Sequence, residues 1–329
     1  MSGPRLFFVC YPDTNHPIGG VKQIYRQVEI LAAAGVQAWV VQQQPGFRAS
    51  WFESSAPVID LESLRALDLN PQGDLLVLPE TWLRNMPQYF PGIPKVIFNQ
   101  NAFYTFGLDG DCDPDTLDLY HHPDLRAVVT VSEDSRALLV RGCGVHPDRC
   151  LHVINGIDSA LFHVPRVKVR RIVFLARKHS HHARKVALMA STRPALARYP
   201  FRELGSLSHG RVAHELREAL VFLSCGHPEG FGLPLAEALA SGCLVVGYHG
   251  LAGRDFALPH MRPVEFGDLL GFLDALEEEV LRFEADPGAV TTERCHASQQ
   301  ILERYGLEAE RIQTMRVWSQ LMAETSHGG

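Results

Sequence analysis

Along almost the whole chain, short apolar runs alternate with segments of helical periodicity. LFFVCY (6–11), QAWVVQQ (37–43), LLVLP (75–79), KVIFNQN (95–101), AVVTVS (127–132) and LHVING (151–156) read as buried strands. Between the first two, VKQIYRQVEILAAAG (21–35) places apolar residues at 21, 24, 25, 28 and 31, one face of a helix that stops at Gly35. SEDSRALLVRGCG (132–144) reads as a helix capped by Ser132 and ended by glycine. The pattern then repeats. RRIVFLA (170–176), VFLSC (221–225) and CLVVGY (243–248) are strand-like. ARKVALMAST (183–192), PLAEALASG (234–242) and three long segments from 268 onward are helical. Strands joined through helices over short connections imply parallel sheets covered on both faces, hence an α/β fold.

A length of 329 residues suits two domains better than one. The two runs of alternation meet where NGIDSALFHVP gives way to the basic RVKVRR, which sets a first domain at 1–163 and a second from 164. A net charge of −6 argues against general nucleic-acid binding, which needs a basic face. The seven scattered cysteines (Cys10, Cys112, Cys143, Cys150, Cys225, Cys243 and Cys295) fit the small buried hydrophobes of a cytosolic protein rather than a disulfide framework. The chain start carries no signal-peptide pattern, and no run is apolar for the length of a membrane span. The expected location is therefore the cytoplasm.

The densest chemical signal is HPEGFGLPLAEALASGCLVV (227–246). VFLSC delivers the chain to the carboxyl edge of a parallel sheet, where ligands bind. Gly230 and Gly232 permit backbone conformations and close approaches that a Cβ would block. Pro234 suits the first turn of the next helix, whose free N–H groups attract anions. Glu229 and Glu237 then offer two carboxylates to hydroxyls, with backbone donors between them.

These residues resemble the glycosyl transferases of group 1, retaining enzymes of the GT-B fold whose signature is two glutamates separated by seven residues, as Glu229 and Glu237 are. Gly19-Gly20, VVTVSEDSRALL (128–139), VINGIDSALF (153–162) and YGLEAERIQTMRVWSQL (305–321) extend the likeness over much of the chain. The resemblance implies two Rossmann-like domains facing across a cleft, 1–163 on the acceptor side and 164–303 on the nucleotide-sugar side, with 304–329 a helix returning to the first domain.

It further implies that Glu237 accepts from ribose hydroxyls, that Glu229 meets the donor sugar, and that the amides of Gly230, Phe231, Gly232 and Leu233 meet sugar or diphosphate. Gly19 and Gly20 would let the first helix approach the diphosphate. Arg177 matches the family's arginine after the first strand of the second domain, but the usual Lys-Gly that follows is missing, leaving Lys178, Arg184 and Lys185 as candidates for its role. Asn99, Gln100 and Asn101, where many relatives carry a histidine, could reach donor or acceptor hydroxyls, or serve capping and turns. Glu80 and Trp82 stand under the same two readings on the acceptor side. The His179, His181, His182 cluster lacks the spacing of a known zinc motif, and neither metal nor cofactor is expected beyond a nucleoside-diphosphate sugar as donor.

The implied activity is transfer of a sugar to an acceptor hydroxyl, carbohydrate or lipid-linked, in cell-envelope or exopolysaccharide assembly, with peripheral contact at the inner membrane face as part of that setting. Two other readings stand beside it: a sugar-nucleotide epimerase or hydrolase of the same fold, and a catalytically silent nucleotide-sugar binding module.

Overall fold

The structure, a computed structural model, describes residues 4–107 and 113–327, without the side chains of 325–327. Cys112, counted above among the buried thiols, lies outside the described residues. The chain divides into two units, residues 1–155 with 310–329, and residues 156–309. The division falls ahead of the change in charge near 164 for a physical reason. Ile157 donates its N–H to Tyr305 O at 2.7 Å, and the buried Phe162 packs at 5.1 Å against the ring of His209, so both side with the second unit.

The first unit is built on seven parallel strands: β1 (Arg5–Val9), β2 (Gln37–Gln42), β3 (Val58–Asp60), β4 (Asp74–Pro79), β5 (Lys95–Asn99), β6 (Leu125–Thr130) and β7 (Cys150–His152), in the spatial order β3-β2-β1-β4-β5-β6-β7. Leu6 to Val9 are buried throughout, as a central strand covered on both faces must be. Helix α1 (Gly19–Ala33) lays Val21, Ile24, Tyr25, Val28 and Leu31 inward, the periodic set read from the sequence. Two short helices, α2 (Leu61–Ala66) and α3 (Glu133–Ala137), follow β3 and β6; Ser132 Oγ caps α3 by accepting from Ser135 N.

The second unit has five parallel strands, β8 (Val169–Leu175), β9 (Phe201–Leu204), β10 (Ala219–Ser224), β11 (Leu244–Gly247) and β12 (Met261–Pro263), ordered β12-β11-β10-β8-β9. Its helices are α4 (Ser180–Ala190), α5 (His209–Glu218), α6 (Leu233–Ala240), α7 (Leu269–Ala285) and α8 (Pro287–Tyr305). Ile172, Phe174, Val221, Leu223 and Val246 from the sheet close against Val186, Phe272, Leu276 and Val280 from the helices. The basic run that opens this unit is consumed structurally. Lys168 Nζ donates to Leu216 O and Ala219 O at 2.8 and 2.7 Å, Arg170 forks onto Glu284, and Arg171 pairs with Glu215 and Glu218. Of the run, Arg166 stays exposed.

The last helix, α9 (Leu307–His327), belongs from Glu310 onward to the first unit. Trp318 is fully buried edge-on to Phe8 and donates Nε1–H to the equally buried Gln27 at 2.9 Å, which pairs two groups that would otherwise be buried unsatisfied. Glu310, without exposed side-chain surface, accepts from Arg26 at 2.9 Å. Among the described residues no helix is long and apolar enough to cross a membrane.

Candidate active site

In an open parallel sheet the loops part where the strand order reverses, and the crevice at that point binds ligands. In the second unit the chain runs from β8 outward to β9, then returns to place β10 on the other side of β8. The crevice therefore lies between the loop after β8, which holds Arg177 and Lys178, and the loop after β10, which holds Glu229.

The two loops touch. Lys178 Nζ donates to Pro228 O at 2.7 Å and lies 3.2 Å from Glu229 Oε2. Both side chains are about a third exposed, so this pair contributes at most about 1 kcal/mol to stability. A ligand can rearrange it cheaply. His179 stands in the left-handed region at φ 53°, which turns the chain into α4 and brings its Nε2 to His227 O at 2.8 Å. Arg177 is exposed at the crevice lip. Of the three candidates for the missing lysine, only Lys178 reaches the loop after β10. Arg184 instead faces β9, where it forks onto Glu203 with Nε 2.9 Å from Oε2. Lys185 is exposed on α4; burial, then His181, His179 and Lys185, push the pKa of His182 down.

The backbone of Glu229 is held by the loop after β11. Its N–H donates to Gly250 O at 2.8 Å, and its backbone bridges Leu251, a residue strained at φ 73° and ψ −64°. Its side chain lies along Gly226 and Gly250. A Cβ on Gly226 would sit 2.7 Å from Glu229 Oε1, and one on Gly250 would sit 3.1 Å from Glu229 Cβ and Cγ. These two glycines, and not only Gly230 and Gly232, set the carboxylate's place. Gly232, at φ 91°, caps α6, and Leu233 and Pro234 open its first turn. Phe231 turns its ring away from the crevice into a buried trio with Phe256 and Tyr305, each 5.2 Å distant, leaving only its backbone for a ligand.

Gly226→Ala follows as a test of this packing. The atom in the way is the end of a partly exposed side chain, so the carboxylate swings aside. We expect a change in unfolding free energy of about 0.5 kcal/mol or less and a loss of any Glu229-dependent activity. Thermal melting beside the activity assay checks both, and a fully active Gly226→Ala would contradict the packing role.

Glu237 is buried one turn into α6, with Oε1 2.9 Å from His209 Nε2 at the start of α5. Around His227, burial, then His179, His249, Lys178 and Arg254, push the imidazole pKa down. Lys178 and Arg254 thus both lie near His227, the residue two before Glu229. His249 and Arg254 were not singled out from the sequence, although both follow β11, the strand next to β10, and the carboxyl-edge rule points to that loop too. The histidine cluster is knit into the same surface: His182 Nδ1 is 2.8 Å from Tyr248 OH, and His227 stacks on Phe266 at 4.3 Å. Among the described residues no group of three or more His, Cys, Asp or Glu side chains converges as a metal site.

In the first unit the strand order reverses between β1 and β4. The loops there carry Gly19 and Gly20 at the start of α1, and Glu80 and Trp82 after β4. Gln100 Nε2 donates to Gly20 O at 3.0 Å, and a Cβ on Gly20 would lie 3.2 Å from that nitrogen. Asn101 Oδ1 caps the turn at 102–106 by accepting from Phe103 N at 3.2 Å. Asn99 is fully buried. Tyr11, half-exposed at the end of β1, lies 5.8 Å from the ring of Trp82.

Glu80 is buried beneath this edge, and burial raises its carboxyl from 4.5 to about 7 against the backbone N–H groups of Glu80, Gln100 and Asn101, which favour the ion. The folded chain thus holds this proton more tightly than the unfolded chain. Stability from this group is full below about pH 4.5 and is lost as the pH rises through about 7. Between pH 5 and pH 8 we expect about 2 to 3 kcal/mol of that loss. Denaturant melts of the wild type and Glu80→Gln at the two pH values check it; identical pH dependence in both would contradict it.

The sequence matches no family model and no curated protein. Solved structures do match, over nearly the whole chain, and they define the fold as that of GT-B glycosyltransferases. Among them are a sucrose-phosphate synthase from Thermosynechococcus elongatus (TM-score 0.71, 15% identity, 97% of this chain and 100% of that one) and HepE of Anabaena in complex with UDP-glucose (TM-score 0.72, 13% identity, 96% and 99%). The pneumococcal O-GlcNAc transferase GtfA in complex with UDP and GlcNAc is similar as well (TM-score 0.69, 10% identity, 99% and 100%).

Proposed function

We propose that this chain is a retaining glycosyltransferase that moves a sugar from a nucleoside-diphosphate sugar to an acceptor hydroxyl. The observation that carries the reading is the meeting of Lys178 and Glu229 at the strand-order reversal of the second unit. A cation and a carboxylate sit there beside exposed Arg177 and the start of α6, with Glu237 one turn further on. The cations suit a leaving diphosphate, on which negative charge grows as the glycosidic bond breaks. Glu229 suits hydroxyls of the transferred sugar, and Glu237 those of the ribose. Support comes from the fold, shared with HepE and GtfA, which were solved with UDP-glucose and with UDP and GlcNAc.

In the proposed reaction the bond from the anomeric carbon to the diphosphate oxygen breaks on the face where the acceptor oxygen attacks. The acceptor proton passes to the departing phosphate oxygen, and the configuration is kept. Lys178 and Arg177 supply the stabilising charge, so turnover should persist in EDTA. The acceptor is a carbohydrate or lipid-linked hydroxyl, in cell-envelope or exopolysaccharide synthesis at the cytoplasmic face of a membrane.

Proton NMR of the protein with UDP-glucose, UDP-GlcNAc and GDP-mannose, each with and without EDTA and a panel of sugar acceptors, tests this. The expected product keeps the donor's anomeric configuration. An inverted product would overturn the retaining assignment. An epimer or free sugar formed equally with and without acceptors would favour the epimerase or hydrolase reading, and binding without turnover the silent module.

A further inference from the structure

Glu237 does not stand alone. Its Oε1 lies 2.9 Å from His209 Nε2, and because a carboxylate only accepts, the imidazole presents an N–H there. Its Oε2 makes no hydrogen bond within the described residues, although the side chain keeps 10% of its surface exposed. His209 is itself fixed from two sides. It is the first residue of α5, whose start is capped by Ser208 Oγ accepting from Arg211 N, and its ring lies edge-on to Phe162, which is 1% exposed. A free glutamate side chain samples many rotamers, and ordering it is costly. One tied at a single oxygen to a fixed imidazole presents the other oxygen in one place.

We infer that His209 is a positioning residue: it orients Glu237 so that Oε2 receives the ribose hydroxyls, and it thereby sets how strongly the protein prefers ribonucleotides to nucleotides lacking those hydroxyls. This rests on the proposed ribose role of Glu237. Arg211 and Glu215, the charged neighbours on α5, are engaged with each other at 2.8 Å and do not share the task. Nothing in the spacing of the two glutamates announces His209; β9 and the turn after it bring it there.

Calorimetric dissociation constants for UDP and 2′,3′-dideoxy-UDP, on the wild type, His209→Phe, His209→Gln and Glu237→Ala, test the inference. A hydrogen bond to an ionised carboxylate should give the wild type a preference for UDP of about tenfold to a hundredfold. His209→Phe keeps the packing on Phe162 and removes the N–H. It should lose most of that preference while binding dideoxy-UDP as the wild type does, and His209→Gln, which can still donate, should recover most of it. A merely structural role would weaken both nucleotides equally in His209→Phe, and that result overturns the inference. So does an undiminished preference in His209→Phe when Glu237→Ala has lost it. If Glu237→Ala keeps the preference, or the wild type shows none, the ribose reading beneath the inference fails instead.

Discussion

Lys178→Met is expected to lower the rate of sugar transfer roughly 10²- to 10³-fold, the usual effect of removing one group aimed at developing charge. The fold should survive, because the side chain is a third exposed and its ion pair with Glu229 is part-exposed too. The loss should appear mainly in kcat. Charge on the diphosphate grows as the bond breaks, so the lysine's interaction is stronger in the transition state than with bound donor. Lys178→Arg should recover part of the rate, since the charge remains while its point of contact moves. A Lys178→Met enzyme within a fewfold of the wild type would show that Arg177, or the His249 and Arg254 pair after β11, carries the charge instead. Arg184→Met is the control: its guanidinium already faces Glu203, so transfer should hardly change.

Glu229→Ala should likewise abolish most transfer, again by roughly 10²- to 10³-fold, while leaving nucleoside-diphosphate affinity nearly intact. Glu237→Ala should weaken the nucleotide itself. The asymmetry comes from where the carboxylates sit. Glu229 is wedged between Gly226 and Gly250 beside the cations, whereas Glu237 lies inside α6 with one oxygen on His209. Dissociation constants for the nucleoside diphosphate, set beside transfer rates for both variants, decide it. Equal loss of nucleotide affinity in the two would contradict the division of roles.

Much of the fold was legible in the sequence because burial on both faces of a parallel sheet demands unbroken apolar runs. LFFVCY, LLVLP and VFLSC announce β1, β4 and β10 for that reason. The strands not read lie at or near sheet edges: β3 (Val58–Asp60), β9 (Phe201–Leu204) and β12 (Met261–Pro263) have three or four residues each and expose part of their surface. Arg202 and Glu203 in β9 bond to charged side chains, so no apolar pattern marks that strand.

The candidate site was legible where chemistry and spacing coincide, at Glu229, Glu237 and the turn between them. It was not legible where tertiary structure decides. Lys178, Arg184 and Lys185 are equivalent as letters; only the left-handed turn at His179 and the direction of α4 separate the one beside Glu229 from the one facing β9. Gly250 and His209 come to the two glutamates from distant chain positions, and the capping bond of Asn101 depends on the fold of the turn after β5. The boundary near 164 was drawn on a basic run in which Lys168, Arg170 and Arg171 bond within the second unit, whereas that unit starts at Gly156.

The most direct test is binding of UDP, GDP, ADP, CDP and dTDP to the wild type and to Glu237→Ala, each with and without EDTA. One nucleotide should bind the wild type, raise its unfolding free energy by about 2.7 kcal/mol at a hundredfold its dissociation constant, ignore EDTA, and bind Glu237→Ala markedly more weakly. No response to any of the five would mean that the crevice between β8 and β10 holds no nucleoside diphosphate, and the glycosyltransferase reading would fall.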